Sequence, residues 1–186
     1  MYWYKNFNKY LLTPLSAVLI TSGLYSCRPD VKETGSEKRF FDVSAYFKNE
    51  AVRLTKLNPA VTKSASHNND TQTQKVHIKN WTAELDLFTI SDINKPSWRD
   101  SYTIANSGDS LIIYKAKLPE LKTKEILVRK HSGKVDLVMI YNHTDNLLYQ
   151  SSEKLTYFPD SLYLIEKRQS VKLLGTNKYK IEGILR

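Results

Sequence analysis

From residue 94 to residue 186 the chain breaks into strand-length segments separated by short clusters of turn-forming residues, and this punctuation constrains the fold more than any other feature. Asn94-Lys95-Pro96, Asn106-Ser107-Gly108-Asp109, Ser132-Gly133, His143-Thr144-Asp145-Asn146, Pro159-Asp160 and Gly175-Thr176-Asn177 each interrupt an apolar-rich run. Glycine supplies positive φ, and Asn and Asp bond their own backbone, so such clusters reverse the chain. The intervening segments 98–105, 111–118, 123–130, 135–142, 147–158, 162–173 and 178–185 read as strands. Segment 135–141 is apolar on both faces, as a central strand is. In the last segment Tyr179, Ile181 and Leu185 alternate with Lys178, Lys180 and Glu182, giving one buried and one wet face. Ser132-Gly133 suits a two-residue hairpin turn.

Upstream the period changes. Phe40, Val43, Phe47, Leu54 and Leu57 recur at helical steps, and Asn58-Pro59 stops the pattern, which predicts a helix over 40–57. Segment 61–74 is polar and predicts a strand with a loop tip at His67-Asn68-Asn69-Asp70, followed by a short strand over 74–79. Asn80 is placed to cap a second helix running to about Ser91, with Trp81, Leu85 and Phe88 on one face. Helices followed by strands predict an α+β fold: two N-terminal helices packed on an antiparallel β-meander of six to eight strands.

The first 26 residues have a different design. Lys5 and Lys9 precede a mostly apolar run of 15 residues, 11–25. A helix needs roughly 20 residues to span a hydrocarbon core of about 30 Å, so the run is too short to cross, but it has the length of a signal-peptide core. It ends in Leu24-Tyr25-Ser26-Cys27, which resembles the lipobox of bacterial lipoproteins; Tyr25 is bulkier than the usual residue there. The resemblance implies cleavage before Cys27, diacylglycerol on its sulfur, and usually a further acyl chain, such as palmitate, on its amino group. Two or more chains anchor stably where one does not. An uncleaved anchor or a buried cytosolic Cys are the other readings. Arg28 stands where an Asp would retain the protein in the inner membrane, so the resemblance implies the outer membrane, on its periplasmic or surface face. The organisation expected is a signal peptide over 1–26, a lipidated flexible tether over 27–39 with seven charges after Cys27, and one domain over 40–186.

Cys27 is the only cysteine, so the domain folds without an internal disulfide. Past the leader, 26 basic and 19 acidic residues leave +7, and the excess lies almost wholly beyond Tyr114. Such an excess suits anionic lipid, lipopolysaccharide, acidic glycan or cell wall. It also suits a solvated sheet face whose lysines discourage edge pairing. Nucleic acid is excluded as a partner because the signal removes the chain from the cytosol.

Catalytic signatures are missing: there is no G-x-S-x-G, H-E-x-x-H, phosphate loop or dinucleotide fingerprint. His67, His77, His131 and His143 are scattered singly, so no metal site or cofactor is expected. Asp92, Asp100 and Asp109 are the acids a hydrolase would use, and they are equally turn-forming residues. Trp98, Arg99 and Asp100 are the candidate ligand contacts, with Trp98 stacking on a sugar or lipid; the competing reading is a core plug with Arg99 in an ion pair. Tyr141, Tyr149, Tyr157, Tyr163 and Tyr179 suit either packing or a glycan-binding row. Asp109-Ser110-Leu111 and Asp160-Ser161-Leu162 resemble bacterial O-glycosylation sequons and also fit turns. The functional expectation is a non-enzymatic envelope lipoprotein, a binding or assembly accessory whose partners are envelope protein, glycan or anionic lipid. The alternative is a cell-wall or glycan hydrolase.

Overall fold

A computed structural model describes residues 38–108 and 110–186; Cys27, the lipobox and Asp109 lie outside the described residues. Helix α1 (Val43–Leu57) begins where the Asp42 carboxylate accepts from the Ala45 N–H at 2.9 Å. It ends at Asn58, which turns left-handed (φ 45°, ψ 52°) and returns its N–H to the Leu54 carbonyl; Pro59 then blocks continuation. Val43, Phe47, Ala51 and Leu54 form its buried stripe.

A hairpin follows, β1 (Ala60–His67) and β2 (Asp70–His77), turning at Asn68-Asn69 with Asn68 at φ 54°. Next come two single turns, α2 (Trp81–Glu84) and α3 (Asp86–Thr89), and a 3-10 turn over Pro96–Trp98. The remainder is β3 (Tyr102–Ser107), β4 (Leu111–Ala116), β5 (Thr123–His131), β6 (Lys134–Asp145), β7 (Tyr149–Phe158), β8 (Leu162–Val171) and β9 (Gly175–Leu185). All nine strands form one antiparallel sheet in the order β2-β1-β9-β8-β7-β6-β5-β4-β3.

The expectation of an α+β fold with two helices on six to eight strands is therefore corrected: the domain is mainly β. Two physical causes account for the difference. The second helix breaks at Leu85, whose ψ of 9° leaves the helical range while Trp81, Leu85 and Phe88 are all turned into the core. The polar segment 61–77 makes two full strands, because its Ser and Thr hydroxyls pair across the ladder, Ser64 with Thr73 and Ser66 with Thr71, each at 2.8 Å.

Residue pairing divides the sheet into two faces. On one, Tyr102, Tyr114, Ile126, Val138, Ile140, Leu155, Tyr157, Tyr163 and Ile165 point at the helices. Phe47 and Phe88 of α1 and α3 meet the Tyr157 ring at 5.2 and 6.1 Å, Trp81 meets Tyr163 at 6.1 Å, and Phe40 meets Tyr114 at 5.5 Å. Edge-to-face packing of this kind adds to the burial of the rings themselves. The other face carries alternate residues such as Leu127, Met139, Tyr141, Lys154, Leu164, Glu166 and Ile184, all half-buried or exposed.

Two turns differ from expectation. Leu147 and Leu148 precede β7 and do not belong to it; Leu173 and Leu174 form the β8–β9 turn, and Gly175 already lies in β9. The Asn146 side chain makes the first turn by accepting from the N–H groups of Leu148 and Tyr149, both at 3.0 Å.

Candidate functional site

Adjacent strands present a basic groove on the face that carries no described helix. Its floor is set by register: Lys180, Glu166, Lys154 and Tyr141 align across β9, β8, β7 and β6, and Lys178, Arg168, Ser152 and His143 align one step nearer the β8–β9 turn. The alternation of strand side chains puts all eight on one face. The groove encloses about 440 Å³. A smaller depression of about 240 Å³ continues it over Tyr141 toward Leu127 and Met139. Cations outnumber acids here, and Arg168, Lys178 and Lys180 are exposed. His143 Nδ1 lies 3.0 Å from the Ser152 hydroxyl, and its ring stacks on Tyr141 at 6.5 Å. Such an arrangement holds phosphate or carboxylate groups by charge, with an apolar extension beside them.

The helix-covered face holds three carboxylates in structural networks. Glu50 accepts from Tyr157 Oη at 2.5 Å and from Arg53, which also reaches Asp160 at 2.6 Å. Glu84 accepts from Tyr163 Oη at 2.6 Å and from Lys63 Nζ at 2.7 Å. Burial first, and then the adjoining carboxylate, push the Tyr157 and Tyr163 hydroxyls well above the ordinary tyrosine value, so both act as fixed proton donors. Burial alone pushes Tyr102 up to about 12, and its hydroxyl donates to the Thr123 carbonyl at 2.9 Å. Glu153 is nearly enclosed between Lys122 and Lys167, at 3.3 and 3.2 Å. Burial raises its carboxyl, but the two lysines outweigh that and hold it below the usual range.

The residues singled out from sequence do not converge. Trp98 is half-buried, packs at 6.5 Å from Tyr102, and has the Lys95 ammonium 4.0 Å from its ring centroid. Arg99 is exposed, and its carbonyl accepts from Arg39 at 3.0 Å. Asp100 pairs with the same Arg39. Together they pin the start of the domain to the approach to β3 and do not line the groove. Asp92 accepts from Asn94 Nδ2 at 3.1 Å, a local turn bond, while the Asp100 carboxylate is taken up by Arg39. The tyrosines also divide: Tyr157 and Tyr163 are in the core, Tyr141 and Tyr179 line the groove, the latter from the alternate register, and Tyr149 stands at the β6–β7 turn. No single aromatic row forms. Asp160 sits at a turn with φ 60° and pairs with Arg53.

The groove is not legible in the sequence because its residues come from five strands and the β1–β2 turn. The signal present was the basic excess beyond Tyr114, which gave sign without position. Among the described residues no group of His, Cys, Asp and Glu is arranged to hold a metal, and no helix is long and apolar enough to cross a membrane. Compared with protein families, with curated proteins and with solved structures, the chain matches none.

Proposed function

We propose that this chain is a membrane-anchored envelope lipoprotein, held through acyl chains on Cys27, whose domain binds or assembles and does not catalyse. The observation that carries the reading is the order of Lys5 and Lys9, a 15-residue apolar run and Leu24-Tyr25-Ser26-Cys27. The domain adds support in kind. Glu50, Glu84 and Glu153 are committed to ion pairs and tyrosine hydroxyls, and the open sheet face carries a shallow cationic groove suited to binding an anionic surface. An outer-membrane location is part of the proposal and follows from Arg28 after the lipidated position.

Cys27→Ser tests it. The wild-type protein is expected in the detergent-rich phase at its processed size, and the variant is expected to lose both properties. Unchanged partitioning and size in Cys27→Ser would overturn the proposal.

A further inference from the structure

Tracing the antiparallel strands puts the β6–β7 turn, the β8–β9 turn and the start of β3 at one end of the sheet. Four leucines project there: Leu147 is 79% exposed, Leu148 71%, Leu173 95% and Leu174 81%. The two turns are neighbours, since Tyr149 pairs with Val171 and the Lys172 N–H reaches the Leu148 carbonyl at 3.4 Å. Exposed leucines are ordinary when scattered; four on two adjoining tips form a patch that calls for a partner.

What surrounds the patch identifies the partner. Lys172 sits inside the second tip, and Tyr149, 36% exposed, flanks the first. Arg168 and Lys178 lie three residues up their strands, about 10 Å above the tips at a strand's rise. Lys154 and Lys180 follow on the same face as part of the groove. Leucine at the tip, tyrosine and lysine next, and a cationic belt about 10 Å above is the layering of a bilayer boundary, with acyl chains below phosphates. The start of the described domain lies at this end as well. Arg39 is fastened to Arg99 and Asp100 just before β3, at the same end of the sheet. Cys27 precedes Lys38 by eleven residues, a reach of at most about 40 Å, whereas β3 and β7 are about 19 Å apart.

We propose that this end of the sheet docks on the bilayer: Leu147, Leu148, Leu173 and Leu174 enter the acyl boundary while Lys172, Arg168, Lys178 and Lys180 meet the phosphates of anionic phospholipid. The inference rests on the lipid-anchored reading above, and its test separates the two. The full-length protein is isolated from membranes and placed in vesicles of phosphatidylethanolamine with a minor share of phosphatidylglycerol. Leu147→Cys, Leu173→Cys and, as a distant control in the last turn of α1, Leu57→Cys are each spin-labelled. A lipidated Cys27 offers no thiol, so labelling of the parent chain reports failure of the anchor and not of the docking. The tip labels are expected to meet oxygen severalfold more, relative to a water-soluble nickel chelate, than the label at 57, and to lose most of that preference when phosphatidylcholine replaces both lipids. Tip labels as open to nickel as the control would overturn the proposal. So would spin–spin broadening between tip labels of separate copies, which would assign the leucines to a self-association surface, or immersion indifferent to lipid charge, which would remove the cationic belt.

Discussion

Gly183 has no side chain because Tyr163 occupies the space one would need. A Cβ there would lie 2.1 Å from Tyr163 Cε1, and the ring cannot yield, since its hydroxyl is held by Glu84. Gly183→Ala is expected to cost about 3 kcal/mol, at the upper end for overpacking; a lower urea midpoint at unchanged slope is the measurement. Glu153 gives a pH prediction. Its carboxyl is held below the ordinary value of 4.5, so the unfolded chain binds the proton first as pH falls. The stability it contributes is complete above about pH 4.5 and drains away as pH drops through the lowered value. Asp42, also lowered, adds to the same slope. Glu153→Gln is expected to flatten the acid limb of stability against pH without levelling it; an unchanged limb would contradict the pairing with Lys122 and Lys167. Neither site was legible in the sequence, because Gly183 and Glu153 acquire meaning only from strands that pair far along the chain.

At the scale of elements, local signals served well where they were self-contained. Asn58-Pro59 ends α1 where expected, although the helix starts at Val43, after the Asp42 cap, and not at Phe40, and Ser132-Gly133 makes its hairpin with both residues at positive φ, 51° and 77°. They served poorly where apolar content stood in for burial. Leu147 and Leu173 read as strand residues by composition, yet the Asn146 side chain and the Val171 carbonyl close their turns and leave them outside. The placement of β9 was likewise hidden. It lies between β8 and β1, with the Leu185 N–H bonded to Ser161 and the Arg186 N–H to Ala60. Removing residues 181–186 therefore strips the ladder from two neighbours and deletes Gly183 and the buried Leu185. The expected outcome is loss of cooperative unfolding, seen as a broad, early thermal transition; a sharp transition at the wild-type midpoint would show that β1 and β8 hold without that stretch.

For the whole molecule, the two halves of the account come from different sources. The proposed anchor rests on a local sequence pattern, Leu24-Tyr25-Ser26-Cys27; the proposed binding surface is a product of sheet register, which the sequence alone does not give. Within the domain, Lys154, Lys167, Arg168, Lys178 and Lys180 bring part of the basic excess beyond Tyr114 to the groove, and Arg39 fastens the start of the domain at the leucine-bearing end. Cys27 is the residue on which the proposed anchoring depends. The most direct test is the intact mass and amino-terminal peptide of the protein isolated from membranes. The account predicts a chain beginning at Cys27 and carrying diacylglycerol with a further acyl chain, and a chain retaining residues 1–26, or an unmodified Cys27 thiol, would contradict it.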